Sequence, residues 1–535
     1  MKILLATTPM SADYNDDAKV RPSTGMLYLG SMLGHQRNFN MRELPAEVRI
    51  DELNRMTNHE RERALTTYGP DVVCVTPYEM NWKEVREYFD MVSETASGAL
   101  KMIGGQSVTD IPKSMLRLTG ADAAFRGEAD FTYRQAMEKL CRGEPLENLA
   151  EINGVYVRKS NEIIETANSR KLPKLSQQEL EDIDINYDLM HESWEQAGYN
   201  KMDFVFSRGC PNRTCSYCRF SPSMSYRELS LEKRMQIMRE ISRLPGIEFF
   251  AFGDSLYGGG RDGAKELTRR LVKENFGLTY VAETSVDMFL DDGEFGYRKP
   301  EAYLMKMMVD AGFITIEVGV DNLSHNGLRK MNKYRYTSEE AMNVIHEMVN
   351  TRLHPGVPIL LKTVDSVPEE VLETVFNTLK ILRKHGDRKH RGDGVYLTVS
   401  DWATPFVNTG EYRKLIKLFE KNPLYELASI RALETWGEMT VLSEPDEPPY
   451  IFGSFVPYDL VLCGVFFDRV ALSPFTDTSE NIAMLMSYPI LMNRHLEKID
   501  NTDQRRQIEY QISQIRSMTE PYYSQYETLI DGILS

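Results

Sequence analysis

The sequence predicts an α/β protein in three parts: an N-terminal doubly wound (Rossmann-like) domain, a partial (β/α)6 barrel and a mainly helical C-terminal region. Short apolar runs alternate with helically spaced segments over residues 1–160 and again over residues 201–410, a pattern typical of parallel strands covered by helices. A polar stretch punctuated by prolines, residues 161–200, separates the two series and is typical of a surface linker. Residues 411–535 are mainly helical in pattern. The chain of 535 residues has room for about three domains.

In the N-terminal part, predicted strands and helices alternate in order. The apolar "KILLATT" is a strand, and "PSTGMLYLGSMLGH" predicts a helix that begins near Thr24. "DVVCVTP", bounded by Pro70 and Pro77, and "LKMIGG" are further strands, and "WKEVREYFDMVSETA" between them has helical spacing. "ADAAFRGE" and the helix "TYRQAMEKLCRG" complete the series. Ligands of such sheets bind beyond the carboxyl ends of the strands.

These strand ends supply the candidate binding residues of the first domain. They are Thr76, Pro77, Tyr78, Gly104, Gly105, Gln106, Arg126, Gly127 and Glu128. Glycines at such positions let the backbone approach a flat or phosphorylated ligand closely. They are equally compatible with ordinary turns of a doubly wound domain, so the pattern alone leaves both interpretations open.

A second alternating series begins at Met202. Its predicted strands are "DFVFSRG", "IEFFAFGDS", "LTYVAETS", "FITIEVGVD", "GVPILLKTV" and "GVYLTVSDW", separated by helical segments such as "GAKELTRRLVKEN". About six strand–helix units make a partial barrel, and chemistry is expected at the C-terminal ends of its strands.

Composition and charge exclude several classes of function. The formal net charge of -16 opposes sequence-independent attraction to phosphate backbones, so nucleic acid is not an expected substrate. The opening apolar run is too short for a signal peptide. The later apolar stretch "YDLVLCGVFFDRVAL" is interrupted by Asp468 and Arg469 and is too short to span a bilayer. We therefore expect a cytoplasmic protein without membrane insertion.

The cysteines indicate metal or redox chemistry. Six in the whole chain are too few for a disulfide framework, yet Cys210, Cys215 and Cys218 lie together in "SRGCPNRTCSYC", directly after a predicted strand. A structural zinc site needs four ligands, and no Cys or His lies between Cys218 and His325. A [2Fe–2S] site of this spacing needs a distant fourth cysteine, for which only Cys463 is available downstream. The third alternative is a [4Fe–4S] cluster with three protein ligands and one open iron.

A strand, "SRGCP", three clustered cysteines and the aromatic Tyr217 just before the last of them resemble the radical S-adenosylmethionine (SAM) enzymes. The resemblance implies a [4Fe–4S] cluster held by Cys210, Cys215 and Cys218, with SAM on the open iron. In that family the reduced cluster cleaves SAM to methionine and a 5′-deoxyadenosyl radical. The usual spacing there is C-x3-C-x2-C, so this loop carries one extra residue.

Later barrel segments extend the resemblance to SAM-binding residues. "FFAFGDS" is similar to the family's second-strand segment, and "VAETSVDMF" is similar to its third. "AGFITIEVGVDNLSHNGLRKMNKYRYTSEEA" resembles a stretch that usually reads G-[IV]-E-S and ends in R-x-N-K, with Asp321 and Asn322 replacing the Glu-Ser. "WATPFVNTGEY" resembles the sixth-strand exit, whereas the usual glycines are absent from "LLKTVDSVPEE". The implied SAM contacts are Tyr217, Gly253, Asp254, Ser255, Glu283 and Asp321. Each acid taken singly is equally compatible with a solvated strand end.

Residues 1–160 resemble the cobalamin-binding domain of the cobalamin-dependent radical SAM class. The matching segments are "RPSTGMLYLGSML", "PDVVCVTPYEMNW", "IGGQSVTDIP" and "AAFRGEAD". The resemblance implies that the corrin lies over the strand ends given above. No D-x-H-x-x-G motif supplies a histidine for cobalt, so Tyr78 or Glu79 is expected near the lower cobalt face. Weak lower ligation would favour release of the methyl group.

The resemblance implies methylation of an unactivated carbon of a small-molecule or peptide substrate, in the setting of specialised metabolite biosynthesis. One SAM would recharge cobalamin with methyl, a second would supply the radical, and a flavodoxin- or ferredoxin-type donor would supply electrons. The alternative within the class is a rearrangement or cyclisation without net methyl transfer. A non-enzymatic corrinoid carrier is the alternative outside it. Residues 411–535 are not assigned to a family by resemblance, and both this region and the loop around Trp402 are expected to help select substrate. Candidate pocket or helix-packing aromatics are Trp402, Trp436, Tyr522 and Tyr523.

Overall fold

A computed structural model gives the architecture of the chain. The residues that the structure describes are 1–7, 24–53, 56–78, 81–160, 162–165, 172–190, 200–219, 225–291, 293, 298–385, 394–402, 409–421, 441–442, 450–451 and 502–520, with isolated positions between 486 and 527. They group into two compact units. The first takes its described residues from 1–205, 227–248 and 440–452, and the second takes the remainder. Within the described residues, no helix has both the length and the apolar character that crossing a bilayer requires.

The first unit is built on a 7-stranded sheet in the order β2-β1-β3-β4-β5-β6-β7. Its strands are β1 (Lys2–Ala6), β2 (Glu47–Asp51), β3 (Val72–Val75), β4 (Leu100–Gly104), β5 (Ala123–Phe125), β6 (Val155–Lys159) and β7 (Glu162–Glu165). Strands β1 to β5 pair in parallel, whereas β6 and β7 are added antiparallel. Its helices are α1 (Thr24–Leu33), α2 (Asn58–Tyr68), α3 (Trp82–Thr95), α4 (Gln106–Asp110), α5 (Pro112–Thr119), α6 (Asp130–Cys141), α7 (Gln177–Asp182) and α8 (Leu231–Ile241).

The strands at the centre of this sheet consist mainly of buried apolar residues. Every residue of β3, "VVCV", is buried, as four of five are in β1, which suits strands covered by helices on both faces. Helix α3 buries Val85, Tyr88, Phe89 and Val92, spaced along one helical stripe. The carboxyl ends of β1, β3, β4 and β5 therefore share one edge.

The sequence did not predict β2 or the antiparallel edge. Strand β2, "EVRID", carries charged residues at three of five positions, and only its last two residues are buried. It lies at the sheet edge beside β1, where one side of the ladder has no neighbour. An edge strand of this composition lacks the apolar signal by which β1 and β3 were predicted.

The second unit contains a run of parallel strands, each paired with the next. They are β11 (Phe249–Phe252), β12 (Thr279–Ser285), β13 (Phe313–Gly319), β14 (His354–Lys362) and β15 (Tyr396–Trp402). The short strands β8 (Lys201–Phe204), β9 (Ser207–Arg208) and β10 (Arg227–Glu228) precede them in sequence, and β16 (Val441–Leu442) and β17 (Tyr450–Ile451) follow as an antiparallel pair. The helices are α9 (Arg261–Glu274), α10 (Ala302–Ala311), α11 (His325–Lys330), α12 (Ser338–Asn350), α13 (Pro368–His385), α14 (Gly410–Lys421) and α15 (Thr502–Thr519).

Aromatic side chains fix the strands of the second unit. The Phe252 ring lies 5.7 Å from that of Phe313 and 4.9 Å from that of Tyr257, measured between centroids. Tyr280 completes the group at 5.2 Å from Phe313. Because β11, β12 and β13 each contribute a ring, the group packs the three neighbouring strands together.

Candidate active site

The cysteine loop begins where β9 ends. Gly209 follows with φ 76°, a left-handed backbone that turns the chain away from the strand. The side chains of Cys210, Cys215 and Cys218 are half-buried. The Thr214 hydroxyl bonds the Asn212 side chain at 3.1 Å and the Asn332 carbonyl at 3.3 Å, which secures the middle of the loop.

The three thiols lie close enough together for Cys210 and Cys218 to influence the pKa of Cys215. Burial raises the pKa of the Cys215 thiol; the Lys333 ammonium opposes that rise, and the other two thiols add to it. Burial likewise raises the pKa of Cys210. Among the described residues, no three His, Cys, Asp or Glu side chains close around a single metal-ion position. Three adjacent thiols without a fourth ligand suit a polynuclear cluster, in which each thiolate binds a different iron.

Lys333 is the principal residue that the sequence analysis missed. Its side chain is 5–6% exposed, its ammonium donates to the Gly319 carbonyl at 2.7 Å, and it pairs with the Asp321 carboxylate. The ammonium also lies 6.0 Å from the ring centre of Tyr217, next to Cys218, and 5.9 Å from that of Tyr336. Burial lowers the pKa of Lys333 to about 8, although Cys215, Asp287 and the other two thiols act to raise it. A buried cation therefore lies behind the cysteine loop.

Asp321 lies just beyond β13, where its backbone connects this strand to β14. Its φ of 58° is left-handed, which is uncommon for a residue other than glycine. Its amide donates to the Pro358 carbonyl at 3.0 Å and its carbonyl accepts from the Leu360 amide at 2.6 Å, so it joins β13 to β14. The carboxylate, predicted to contact SAM, faces Lys333 inside the protein.

The other predicted SAM residues fall into two groups. The Asp254 carboxylate is buried and accepts a 2.5 Å bond from the Ser207 hydroxyl, which ties the β11 exit to the start of the cysteine loop. Gly253 and Ser255, on either side of it, are exposed at the strand end, and Glu283 is exposed on β12. Glu283 is in register with Glu317 of β13, another exposed carboxylate that the sequence analysis did not single out.

In the first unit, Tyr78 stands at the end of the β3 segment with 47% of its surface exposed. The Asn81 side-chain carbonyl accepts from the Tyr78 amide at 2.8 Å, and the Asn81 amide donates back to the Tyr78 carbonyl at 3.2 Å. Asn81 itself is buried at the start of α3 and fixes this turn. Glu79 lies outside the described residues. Thr76 and Gln106 are half-buried at the same edge, whereas Pro77 is buried.

The glycines of this edge are required mainly by neighbouring parts of the chain. Gly105 has φ 103°, and a Cβ there would lie 2.6 Å from a methyl of Thr76. A Cβ at Gly127 would lie 2.7 Å from the Pro173 carbonyl, so the linker occupies that space. Gly104 meets only ordinary contacts. A ligand could therefore approach the backbone closely at Gly104, as predicted. At Gly105 and Gly127 the space beside the backbone is filled by Thr76 and Pro173.

Glu128 likewise has an internal partner. Its carboxylate binds both terminal nitrogens of Arg227, at 2.9 and 2.5 Å, and accepts from the Leu175 amide at 2.6 Å. The Glu128 bond to Leu175 holds the linker against the sheet edge. The Arg126 side chain donates to the Thr109 carbonyl of α4 at 2.7 Å. By contrast, the buried Ser107 hydroxyl has no hydrogen-bond partner among the described residues, which is unusual in a folded interior and suits an edge that binds a polar ligand.

A family model described as the Radical SAM superfamily matches residues 204–379. This chain carries a radical SAM domain. The matched region contains Cys210, Cys215 and Cys218, and membership implies a [4Fe–4S] cluster and SAM as cofactor and cosubstrate. The predicted resemblance to this family is confirmed.

Two curated relatives extend the match beyond the radical SAM domain. The chain is 22% identical to an uncharacterized methyltransferase of Pyrococcus horikoshii over 390 residues, covering 72% of this chain and 78% of that protein. It is 24% identical over 299 residues to an uncharacterized methyltransferase of Synechocystis sp., covering 52% of this chain and 48% of that protein.

Solved structures match both units. The cobalamin-dependent S-adenosylmethionine radical enzyme OxsB, with aqua-cobalamin bound, aligns with a TM-score of 0.64 at 14% identity over 98% of this chain and 73% of that chain. The radical S-adenosylmethionine methyltransferase TsrM from Kitasatospora setae, with cobalamin and a [4Fe–4S] cluster bound, aligns with a TM-score of 0.53 at 15% identity over 76% and 77%. The predicted fold, a doubly wound domain followed by a radical SAM barrel, is confirmed.

Proposed function

We propose that the protein is a cobalamin-dependent radical SAM methyltransferase that transfers a methyl group to an unactivated carbon of a small-molecule or peptide substrate. The observation that carries the proposal is the set of three half-buried cysteines in one loop of a radical SAM domain. The methyltransferase names of the two curated relatives and the methyltransferase title of TsrM support the reaction class. We assign residues 1–160 to cobalamin, 161–200 to a linker, 201–410 to the barrel and 411–535 to substrate selection.

In this proposal Cys210, Cys215 and Cys218 bind the cluster. When bound, the cluster and SAM together supply a radical that removes a substrate hydrogen, and cobalamin supplies the methyl group. Gly253, Ser255 and Glu283 are the predicted SAM residues whose surfaces are exposed at the strand ends. Tyr217, Asp254 and Asp321 support the same region from within, through Lys333 and Ser207.

The sheet edge of the first unit would hold cobalamin. Tyr78 offers an exposed side chain on a turn fixed by Asn81, and Gly104 leaves backbone space. Thr76, Pro77, Gly105 and Gln106 shape the same edge. Gly127 and Glu128 support it by contacting the linker, and Arg126 supports it by donating to the Thr109 carbonyl. None of these residues is a histidine, so we propose that Tyr78 or Glu79 faces the lower cobalt side without a strong bond.

The reaction also needs a reductant and a dry site. We propose an external electron donor of the flavodoxin or ferredoxin type, as the resemblance implies. The protein's contribution would be to orient the substrate and exclude water, which favours the reacting geometry.

Electron paramagnetic resonance on anaerobic, cobalamin-loaded and partly reduced protein tests the proposal. We expect a reduced [4Fe–4S] signal that shifts when SAM is added, beside a cob(II)alamin signal without nitrogen splitting from below. A silent metal site would indicate zinc, and a cluster that does not respond to SAM would indicate an electron carrier. Either result would overturn the proposal.

The products separate methylation from its alternative. The proposed radical methylation would form S-adenosylhomocysteine together with 5′-deoxyadenosine in each productive turnover. A rearrangement or cyclisation would form 5′-deoxyadenosine without stoichiometric S-adenosylhomocysteine. Quantifying both products by mass spectrometry, with deuterium-labelled methyl SAM, therefore decides between the two reactions.

A further inference from the structure

Ser216, between Cys215 and Cys218, is the best-anchored residue of the cysteine loop. It is only 5% exposed, and each of its polar groups has a partner. Its amide donates to the Met331 carbonyl at 3.0 Å, and its hydroxyl lies 3.2 Å from the Lys330 carbonyl. Its remaining bonds go to Glu411. The loop is thus fixed at a point inside the cysteine motif.

Glu411, in the first turn of α14, is fully buried at 0% exposure. One carboxylate oxygen accepts from the Ser216 hydroxyl at 2.7 Å and from the Lys414 ammonium at 2.9 Å. The other accepts from the Val364 amide, just beyond β14, at 2.9 Å. The Glu411 amide completes the pairing by donating to the Ser216 carbonyl at 2.9 Å. One side chain thus joins the cysteine loop, the β14 exit and α14.

Gly410 shows how closely these segments approach. A Cβ at this position would lie 2.9 Å from both the Cβ and the carbonyl oxygen of Ser216. The start of α14 therefore packs directly on the cysteine loop, and the Glu411 carboxylate reaches Ser216 without an intervening water. Hydrogen bonds to a charged acceptor in such a buried place are stronger than those between neutral groups.

We propose that Glu411 is a positioning residue for the cluster: through Ser216 it fixes the turn that presents Cys215 and Cys218. A loop with one residue more than the usual C-x3-C-x2-C spacing has more conformations to lose when its thiols converge. An anchor inside the loop removes part of that freedom before the cluster binds. The inference rests on the proposed function only in taking the bound group to be an iron–sulfur cluster.

The test compares Glu411→Gln, Ser216→Ala and the double variant with wild type, using the reconstituted holoprotein. The readouts are the rate of iron loss to a chelator and the line shape of the reduced-cluster resonance. Glu340→Gln is the matched control, because Glu340 also lies in the first turn of a helix and accepts from a backbone amide and an arginine, Arg298. Within the described part of the chain, the Glu340 carboxylate bonds Arg298 and Thr337 and not the cysteine loop.

We expect iron loss to be about tenfold faster in Ser216→Ala, which removes the hydrogen bond to the carboxylate. It should be at least as fast in Glu411→Gln, which replaces the carboxylate by a neutral acceptor for Ser216, Val364 and Lys414. The double variant should match Glu411→Gln, because the two residues act through one contact. Both single variants should broaden or shift the cluster resonance, whereas Glu340→Gln should change neither readout. The proposal would be overturned if the two single-variant increases in the rate of iron loss multiplied in the double variant. It would also be overturned if Glu340→Gln lost iron as fast as Glu411→Gln.

Hydrogen exchange on the cluster-free chain separates this inference from the proposed function. We expect faster exchange over residues 210–218 in Ser216→Ala and Glu411→Gln than in wild type, whether or not a cluster can be installed. If the wild-type protein takes up no cluster, the proposed function is wrong. If hydrogen exchange over residues 210–218 is unchanged in both variants, the proposed anchoring role of Glu411 is wrong. If Glu411→Gln fails to fold, Ser216→Ala, which deletes a single hydroxyl, still decides the question.

Discussion

At the residue scale, the buried cation is the feature with the clearest electrostatic effect. Lys333 is held by the Gly319 carbonyl and Asp321, and the three thiols influence its pKa. A positive charge near a cluster favours the reduced, more negative form. For unit charges ~8 Å apart at an effective dielectric constant of about 20, the interaction is about 2 kcal/mol. Lys333 therefore raises the reduction potential of a cluster bound to this loop.

We predict that Lys333→Met lowers the cluster midpoint potential by some 50–100 mV, the one-electron equivalent of that energy. Redox titration followed by electron paramagnetic resonance measures the shift. Lys333→Met/Asp321→Asn removes both charges of the pair and should bring the potential back towards wild type. Lys330→Met is the control, because the Lys330 ammonium binds the Asp365 carbonyl and the Glu370 carboxylate and not Asp321. This variant should leave the potential unchanged. An equal shift in that control would contradict the assignment.

Individual side-chain roles were the least predictable part of the site. The cysteines, Asp254, Asp321 and Glu128 stand out in sequence because of their residue type and their position after strands. Their partners do not stand out, since Arg227 is 99 positions from Glu128 and Ser207 is 47 from Asp254. A carboxylate that binds ligand and one that binds a distant hydroxyl look the same in a single sequence. Lys333 could have been found from the R-x-N-K resemblance, which ends on it.

At the element scale, the contact between the β3 and β4 exits determines what the first unit's binding edge tolerates. Gly105 combines φ 103° with a space already filled by a Thr76 methyl. Both the backbone conformation and the contact exclude a side chain there.

We predict that Gly105→Ala destabilises the chain by about 2 kcal/mol or more and weakens cobalamin uptake. Gly98→Ala is the matched control, because a Cβ there meets nothing within 4 Å, and its stability should change little. Adding Thr76→Ser to Gly105→Ala removes the clashing methyl and should restore part of the loss. Chemical denaturation gives the free energy, and absorption of bound cobalamin gives the uptake. A loss that Thr76→Ser does not reduce would leave backbone strain as the whole cause.

Elements with continuous apolar runs were predicted from the sequence, as β1, β3 and β11 to β15 show. Strand β2 was missed because its register with β1, from Lys2 beside Glu47 onward, depends on a neighbour rather than on its own pattern. Helix α8 likewise belongs to the first unit because of its tertiary contacts, which its own sequence pattern does not reveal. Tertiary contacts decide these elements, and local periodicity does not report them.

At the scale of the whole molecule, one histidine makes stability depend on pH. Burial, the His346 ring and the Lys384 ammonium together lower the pKa of His385, at the end of α13, from 6.5 to about 4. The unfolded chain therefore binds more protons than the folded one between those two values, and stability falls as the pH falls through this window. Because the ring is partly exposed, we expect the effect to be on the order of 1 kcal/mol.

We predict that the melting temperature of the cluster-free wild type falls more between pH 7.5 and pH 5.0 than that of His385→Gln. Differential scanning calorimetry at the two pH values measures both. His59→Gln, at an exposed position of α2, serves as the control and should follow the wild type. Parallel losses in wild type and His385→Gln would show that His385 is not the source.

The Glu411 anchor has a practical consequence for chimeric proteins. The family match ends at residue 379, but the carboxylate that secures the cysteine loop is at 411, and its ammonium partner is at 414. A crossover placed at the end of the family match would join one parent's cysteine loop to another parent's helix. Exchanges intended to alter substrate choice should therefore recombine after Lys414, so that both halves of the anchor are inherited together.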